Sequence, residues 1–242
     1  MLILRPAQLE RPHPCGYFAD RAARFKNFIA LRLDARELET VLASGWRKFG
    51  PYYFKPCCPG CRDCIPIRIL TQEFVPSKSQ RKLLRKNSDT VAHFLPLTCS
   101  ENIFEIYQEH SLARFNRVVS WEEFVHNFYT PSCLAFQSEY YVSDKLAAVG
   151  FLDQSSRGLS SVYFFYQTQY SQLGLGNLSI LKEIEYAAAL GLPYYYLGYY
   201  IAQNHSMAYK HQFYPHERYD WAGQKWHRFE SREAEQQEED ES

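Results

Sequence analysis

No stretch of the 242 residues holds an apolar run near the roughly 20 that a membrane span requires, which argues against a membrane-spanning helix. The opening residues lack the basic-then-apolar pattern of a secretory signal. Seven cysteines, an odd and unevenly spaced set, offer no disulfide framework. Together these absences lead us to expect a protein of the reducing cytoplasm with no membrane partner. Net charge is missing too, since 27 Lys and Arg balance 27 Asp and Glu. Nor do Ser, His and Asp stand anywhere in an order that suggests a nucleophilic triad.

What the chain lacks in total charge it concentrates locally. Between Arg47 and Asn87, ten Lys or Arg stand against only Asp63 and Glu73, an asymmetry suited to a phosphate backbone. Lys78, Arg81, Lys82, Arg85 and Lys86 recur at three- and four-residue intervals, so most share one face of a helix that starts after the cap Ser77. Such a face grips phosphate by charge and shape and reads no base sequence. Immediately upstream, Cys58, Cys61 and Cys64 stand at C-x2-C-x2-C spacing, with Cys57 directly before them and Cys15 far ahead. The Pro59-Gly60 turn would let these thiolates converge, with Cys15 or Cys57 as the fourth ligand. The spacing does not choose between zinc and an iron-sulfur cluster. Aromatic residues make up 17%, including 19 Tyr, a composition suited to stacking bases or gripping substrates.

Periodicity predicts an α+β protein in two lobes and a tail. Residues 1–90 form an N-terminal, cysteine-containing small lobe, in which Met1 to Pro14 reads as an extended lead-in. It should contain a helix after the cap Asp34, a strand turning at Gly50-Pro51, a short strand Ile65 to Leu70 and the basic helix. Residues 91–229 begin with two helices, then change period. Three strand-like segments follow between Ala135 and Gln167, then a long helix from Asn177 and a strand from Tyr194 to Ile201. That order describes a GNAT-like (acyl-CoA N-acyltransferase-like) α/β lobe. Residues 230–242, with seven acids and one Arg, read as a disordered tail. An acetyl coenzyme A enzyme would need a Gln/Arg-x-x-Gly-x-Gly/Ala loop, of which QLGLGN from Gln172 is a poor echo. A metal-stabilised RNA-binding module would leave the Tyr-rich stretch after Tyr194 without a purpose.

Several stretches then carry a resemblance: Cys15-Gly16-Tyr17, GWRKFGPYYFKPCCPGCRDC from Gly45, FVPSKSQRKLLRK from Phe74, GFLD from Gly150, LGNLSILKEIEY from Leu175 and YYYLGYYIAQNHSMAYKHQFYP from Tyr194. In this order they resemble the aminoacyl-tRNA-protein transferases of the N-degron pathway, bacterial leucyltransferases and eukaryotic arginyltransferases alike. The resemblance implies transfer of an amino acid from charged tRNA to proteins that begin with Asp or Glu, marking them for degradation. Length and the CPGCRDC run favour leucine as donor, with arginine the alternative. In the arginyltransferases, cysteines at the start and a CC pair are implicated in an iron-sulfur cluster. Cys15, Cys57 and Cys58 match that pattern, and Cys61 or Cys64 would replace the cysteine that is Phe18 here. The metal set expected is Cys15, Cys57, Cys58 and Cys61. Other departures are Gln167-Thr168 for Asp-Pro, Gly174-Leu175-Gly176 for Ser-Leu-Gly, Phe115 for a His and Asn204 for a Cys.

Transfer from an activated ester requires no cofactor and no covalent nucleophile, only attack geometry and removal of a proton from the amine. The catalytic residues expected are Lys210, Tyr199 to orient the ester, and Asp153 to hold the donor's ammonium or accept a proton. For the acceptor's acidic side chain the candidates are Arg81, Arg85 and Lys210, with Arg47 and Lys55 behind them. Lys78, Lys82 and Lys86 are assigned to tRNA.

Overall fold

Strand segments build a four-stranded sheet, an eight-stranded sheet and a two-stranded ribbon. The computed structural model describes residues 1–231, so the acidic tail lies, from residue 232, outside the described residues. The first part comprises β1 (Leu2–Leu9), β2 (His13–Pro14), β3 (Ala22–Ala23), β4 (Phe25–Arg32), α1 (Ala35–Ala43), β5 (Arg47–Phe49) and β6 (Tyr52–Pro56). Four of its strands form an antiparallel sheet in the order β1-β4-β6-β5. Asp34 caps α1 as expected, accepting from the Arg36 and Glu37 amides while the Glu37 carboxylate returns the bond. The buried stripe Leu38, Val41 and Leu42 then packs on Phe28, Ala30 and Tyr53. Met1 to Pro14 is no loose lead-in: β1 is a full strand on β4, at the sheet edge where Pro6 and three register shifts are tolerated.

The second part contains β7 (Ile65–Leu70), α2 (Lys78–Lys86), β8 (Thr90–Pro96), α3 (Glu101–Phe115), α4 (Trp121–Phe128), β9 (Ala135–Val142), β10 (Lys145–Gln154) and β11 (Gly158–Tyr166). It continues with α5 (Leu175–Ala189), β12 (Tyr194–Tyr200), α6 (His205–Ala208), a 3-10 turn Tyr209–Gln212, β13 (His216–Asp220) and β14 (Lys225–Phe229). Its eight strands run in the order β14-β13-β7-β12-β11-β10-β9-β8. The expected division at residue 90 does not coincide with the sheets, because β7 is threaded between β12 and β13. Helices cover both faces. α3 and α4 bury Ile103, Ile106, Phe124 and Phe128 against Val149, Phe151 and Phe165. α5 buries Ile180, Leu181 and Ile184 against Ile67, Leu152, Leu159 and Leu197, with Leu83 and Leu84 of α2 alongside. Each such side chain contributes roughly 1.5–3 kcal/mol by leaving water. Among the described residues no helix is long and apolar enough to cross a membrane.

One junction differs from the rest. β11 and β12 are parallel and paired only through Gly158–Tyr194, Leu159–Tyr195 and Ser160–Tyr196. Past that point β11 follows β10 to Tyr166, while β12 follows β7 to Tyr200. The two strands therefore splay, leaving a wedge with unpaired edges. The register of β12 slips between Tyr196 and Gly198, where Gly198 adopts φ +95°, a conformation side chains rarely allow.

Candidate active site

Unpaired carbonyls in the wedge need donors, and two cations supply them. From β5 of the small sheet, Arg47 donates through Nη2 to the Ser161 carbonyl of β11. From the 3-10 turn after β12, Lys210 Nζ donates to the Tyr199 carbonyl at 2.9 Å. A Cβ built on Gly198 would sit 3.3 Å from Lys210 Nζ and 3.8 Å from Arg47 Nη2, so both cations border the same glycine. Both are buried, with Arg47 9% and Lys210 8% exposed. Burial, helped by the Arg47 charge, pushes the Lys210 ammonium down to about 7, so it is half neutral near neutral pH. Burial lowers Arg47 as well.

Tyr199 lies beside them. Its hydroxyl donates to the Gly45 carbonyl at 3.4 Å, and burial holds the phenol well above its usual range. Strand alternation separates the two expected tyrosines, as the pleat requires. Tyr200 belongs to the core under α5, with its ring against His211 and the Arg218 guanidinium. His205 is exposed and His211 donates through Nδ1 to the Ala208 carbonyl at 2.5 Å.

The remaining predicted residues are distributed around this centre. Asp153 is neither a turn aspartate nor open to a ligand. It is 1% exposed within β10 and pairs with Lys48 of β5 at 3.0 Å. Cys133 Sγ donates to its Oδ1 at 3.3 Å. Burial pulls the Lys48 ammonium down, but the charge and hydrogen-bond contributions of Asp153 and Cys133 together outweigh it and hold the ammonium above its ordinary value. Two successive residues of β5 thus enter the large sheet, one as a structural ion pair and one at the wedge. Lys78, Arg81, Lys82, Arg85 and Lys86 are all exposed on α2. Arg81 turns back to the Pro76 carbonyl at 2.5 Å and Lys86 reaches the Gln172 carbonyl. Gln80, buried on the opposite side, donates to the Gln212 carbonyl at 3.2 Å and so ties α2 to the turn that carries Lys210. Lys55 lies over the Trp46 ring at 5.0 Å.

The thiols gather at the mouth of the same centre. Burial raises Cys64 to about 12, and Cys58, Cys61 and Cys15 add to the shift, which places each of them within electrostatic reach of Cys64. Cys64 and Cys58 also act on Tyr199, and Cys64 on Lys210. Cys15 Sγ accepts the Tyr17 amide and Cys58 Sγ the Arg24 amide, each at 3.4 Å. Cys57, also expected among the ligands, is half-buried like the other four. Its backbone is fastened to Arg24 on both sides, at 2.8 and 3.0 Å. Four thiols have the donor chemistry of zinc or iron-sulfur binding. As placed, however, no three His, Cys, Asp or Glu side chains among the described residues are arranged to hold a metal ion. Two residues were undervalued in the sequence. Arg47 lies within the GWRKFG stretch, and Cys64 completes the C-x2-C-x2-C run.

Among the described residues the mixed sheet splays at its parallel junction, with a buried amine in the splay and a basic helix tied to it. The chain belongs to the arginine-tRNA-protein transferase family, whose N-terminal model matches residues 13–82 and whose C-terminal model matches residues 100–220. It is 31% identical over 233 residues to an aspartate/glutamate leucyltransferase of Stenotrophomonas maltophilia, covering 90% of this chain and 91% of that one. With a protein of the same name from Chromobacterium violaceum it shares 34% over 212 residues, covering 84% and 86%. Among solved structures, L-PGS from Bacillus licheniformis aligns with a TM-score of 0.47 at 12% identity over 60% of this chain and 48% of that chain.

Proposed function

We propose that this chain moves leucine from charged tRNA to the N-terminal amine of proteins beginning with Asp or Glu, in the cytoplasm. Relatives at 31% and 34% identity over most of the chain carry that activity in their names. The observation that carries the reading is Lys210, a buried amine held to about 7 on the Tyr199 carbonyl at the wedge. A neutral Lys210 takes one proton from the acceptor's ammonium. The freed amine attacks the aminoacyl ester carbonyl, a C–N bond forms, and the ester C–O bond breaks as the terminal ribose oxygen leaves and is protonated. Tyr199 shapes the wall of this centre. The exposed cations Lys78, Lys82 and Lys86 hold the tRNA backbone, with Arg81 and Arg85 on the same helix available to phosphate or to an acidic acceptor. A metal, if the chain takes one up, would draw on Cys15, Cys58, Cys61 and Cys64, and no step above passes through it.

Arginine is the alternative donor, because the matching family models carry that name. The test incubates the purified chain with total charged tRNA and a peptide beginning with Asp or Glu, then measures the peptide's mass. Addition of one leucine is the expected result. Addition of one arginine selects the alternative, and no addition sinks the proposal.

A further inference from the structure

We propose that Arg47, together with Lys210, reads the acidic side chain of the acceptor, with Arg47 as the residue that sets specificity for a carboxylate. This rests on the transferase reading above. Two other buried cations in this molecule face carboxylates. Lys48 pairs with Asp153 at 3.0 Å, and Arg68 pairs with Glu217 at 2.6 Å while stacking on Tyr194 and Trp226. Arg47 and Lys210 are different, since among the described residues no carboxylate forms an ion pair with either. Their partners are the Ser161 and Tyr199 carbonyls. Arg47 Nη1 is buried and has no hydrogen-bond partner at all. A buried guanidinium nitrogen left unpaired costs free energy unless a ligand answers it, and although the Asp153 charge reaches Arg47, that carboxylate is paired with Lys48, which leaves the Nη1 donor to a ligand. It must be an anion small enough to enter between strands.

The position matches the chemistry. Both cations border Gly198, where a side-chain carbon would intrude between them. An aspartate or glutamate carboxylate seated there accepts from the charged Arg47 at Nη1 and from an N–H of Lys210 Nζ, which the amine keeps in its neutral form. Its own α-amine then lies only a few bonds away, beside the group proposed to take its proton. A neutral amide fills the same space and accepts one bond, but it brings no charge and turns its NH2 toward donors. Such a site rejects the isosteric amide strongly. Arg81 and Arg85 do not suit this task as well, because an exposed cation in water discriminates charge only weakly.

The experiment compares Asp-first and Asn-first peptides of otherwise identical sequence on the native chain, Arg47→Met and Arg47→Lys. Transfer kinetics are measured with charged tRNA, and peptide binding by calorimetry without it. The native chain should prefer the Asp peptide by roughly 100-fold or more in kcat/KM, mostly through KM. Arg47→Met should reduce that preference to within a few-fold while its tRNA affinity stays native. Arg47→Lys, which keeps a cation but loses the fork, should fall between them and serves if Arg47→Met does not fold. A preference unchanged in either folded variant overturns the proposal. If the native chain transfers nothing to any peptide, the transferase reading fails by itself. Binding of the Asp peptide by the native chain and not by the variant would still support the cradle, and equal binding by both would overturn it.

Discussion

Replacing Lys210 with Met should make the protein more stable at neutral pH while removing its activity. The ammonium has an ordinary value of 10.5 and is lowered to about 7, chiefly by burial and then by Arg47. A lysine whose folded value is depressed binds fewer protons folded than unfolded, so it costs stability below the folded value. That cost fades as pH rises toward the unfolded value. At pH 6.5 the shift corresponds to roughly 4–5 kcal/mol of destabilisation, and at pH 9.5 to about 1 kcal/mol. Methionine fills much the same space without charge but forfeits the hydrogen bond to the Tyr199 carbonyl, a loss of about 1–3 kcal/mol. Urea unfolding of both proteins should show Lys210→Met more stable by about 2 kcal/mol at pH 6.5. At pH 9.5 the advantage should be gone or reversed. Equal destabilisation at both pH values would mean that the ammonium is well compensated, and the account of the wedge as a site under electrostatic stress would be refuted.

Lys48→Met should act in the opposite sense, because it strands the buried Asp153 carboxylate beside Cys133. A loss of roughly 3–5 kcal/mol is expected, largely recovered when Asp153→Leu is added, as read from urea midpoints. Replacing Lys78, Lys82 and Lys86 together by Ala should leave the fold intact, since all three are exposed. The slope of log tRNA affinity against log salt should become shallower by roughly 2–3, and an unchanged slope would move the tRNA to another face. Among the cysteines, Cys64→Ser should lose zinc or iron taken up on anaerobic reconstitution, while Cys57→Ser should keep it. Metal analysis giving the reverse order would restore Cys57 to the ligand set.

How much of this was legible in the chain follows from the range of each signal. Caps are local, and Asp34 and Ser77 both close the capping boxes that their neighbours three residues on allow. Alternation is local too, so β9, β10 and β11 lie close to where the pattern put them, and Tyr199 and Tyr200 face opposite ways. Pairing partners are not local. β1 reads as a loose lead-in because its support, β4, begins sixteen residues after β1 ends. β7 reads as part of a separate lobe because nothing in Ile65 to Leu70 announces β12 and β13 on either side.

Arg47 shows where the limit lies for function. In sequence, a basic residue next to Lys48 is one of ten cations between Arg47 and Asn87, and nothing separates an ion-pair partner from a ligand reader. The distinction arises only when β5 is laid against β10 and β11. Alternation then sends Lys48 to Asp153 and Arg47 to the carbonyl of Ser161, at the point where β12 turns away. A strand that ends its pairing early exposes backbone acceptors, and those acceptors hold cations in place without neutralising them. That is why the splay, which costs the sheet its hydrogen bonds, can also hold the Arg47 charge and the Lys210 amine ready for an anionic substrate.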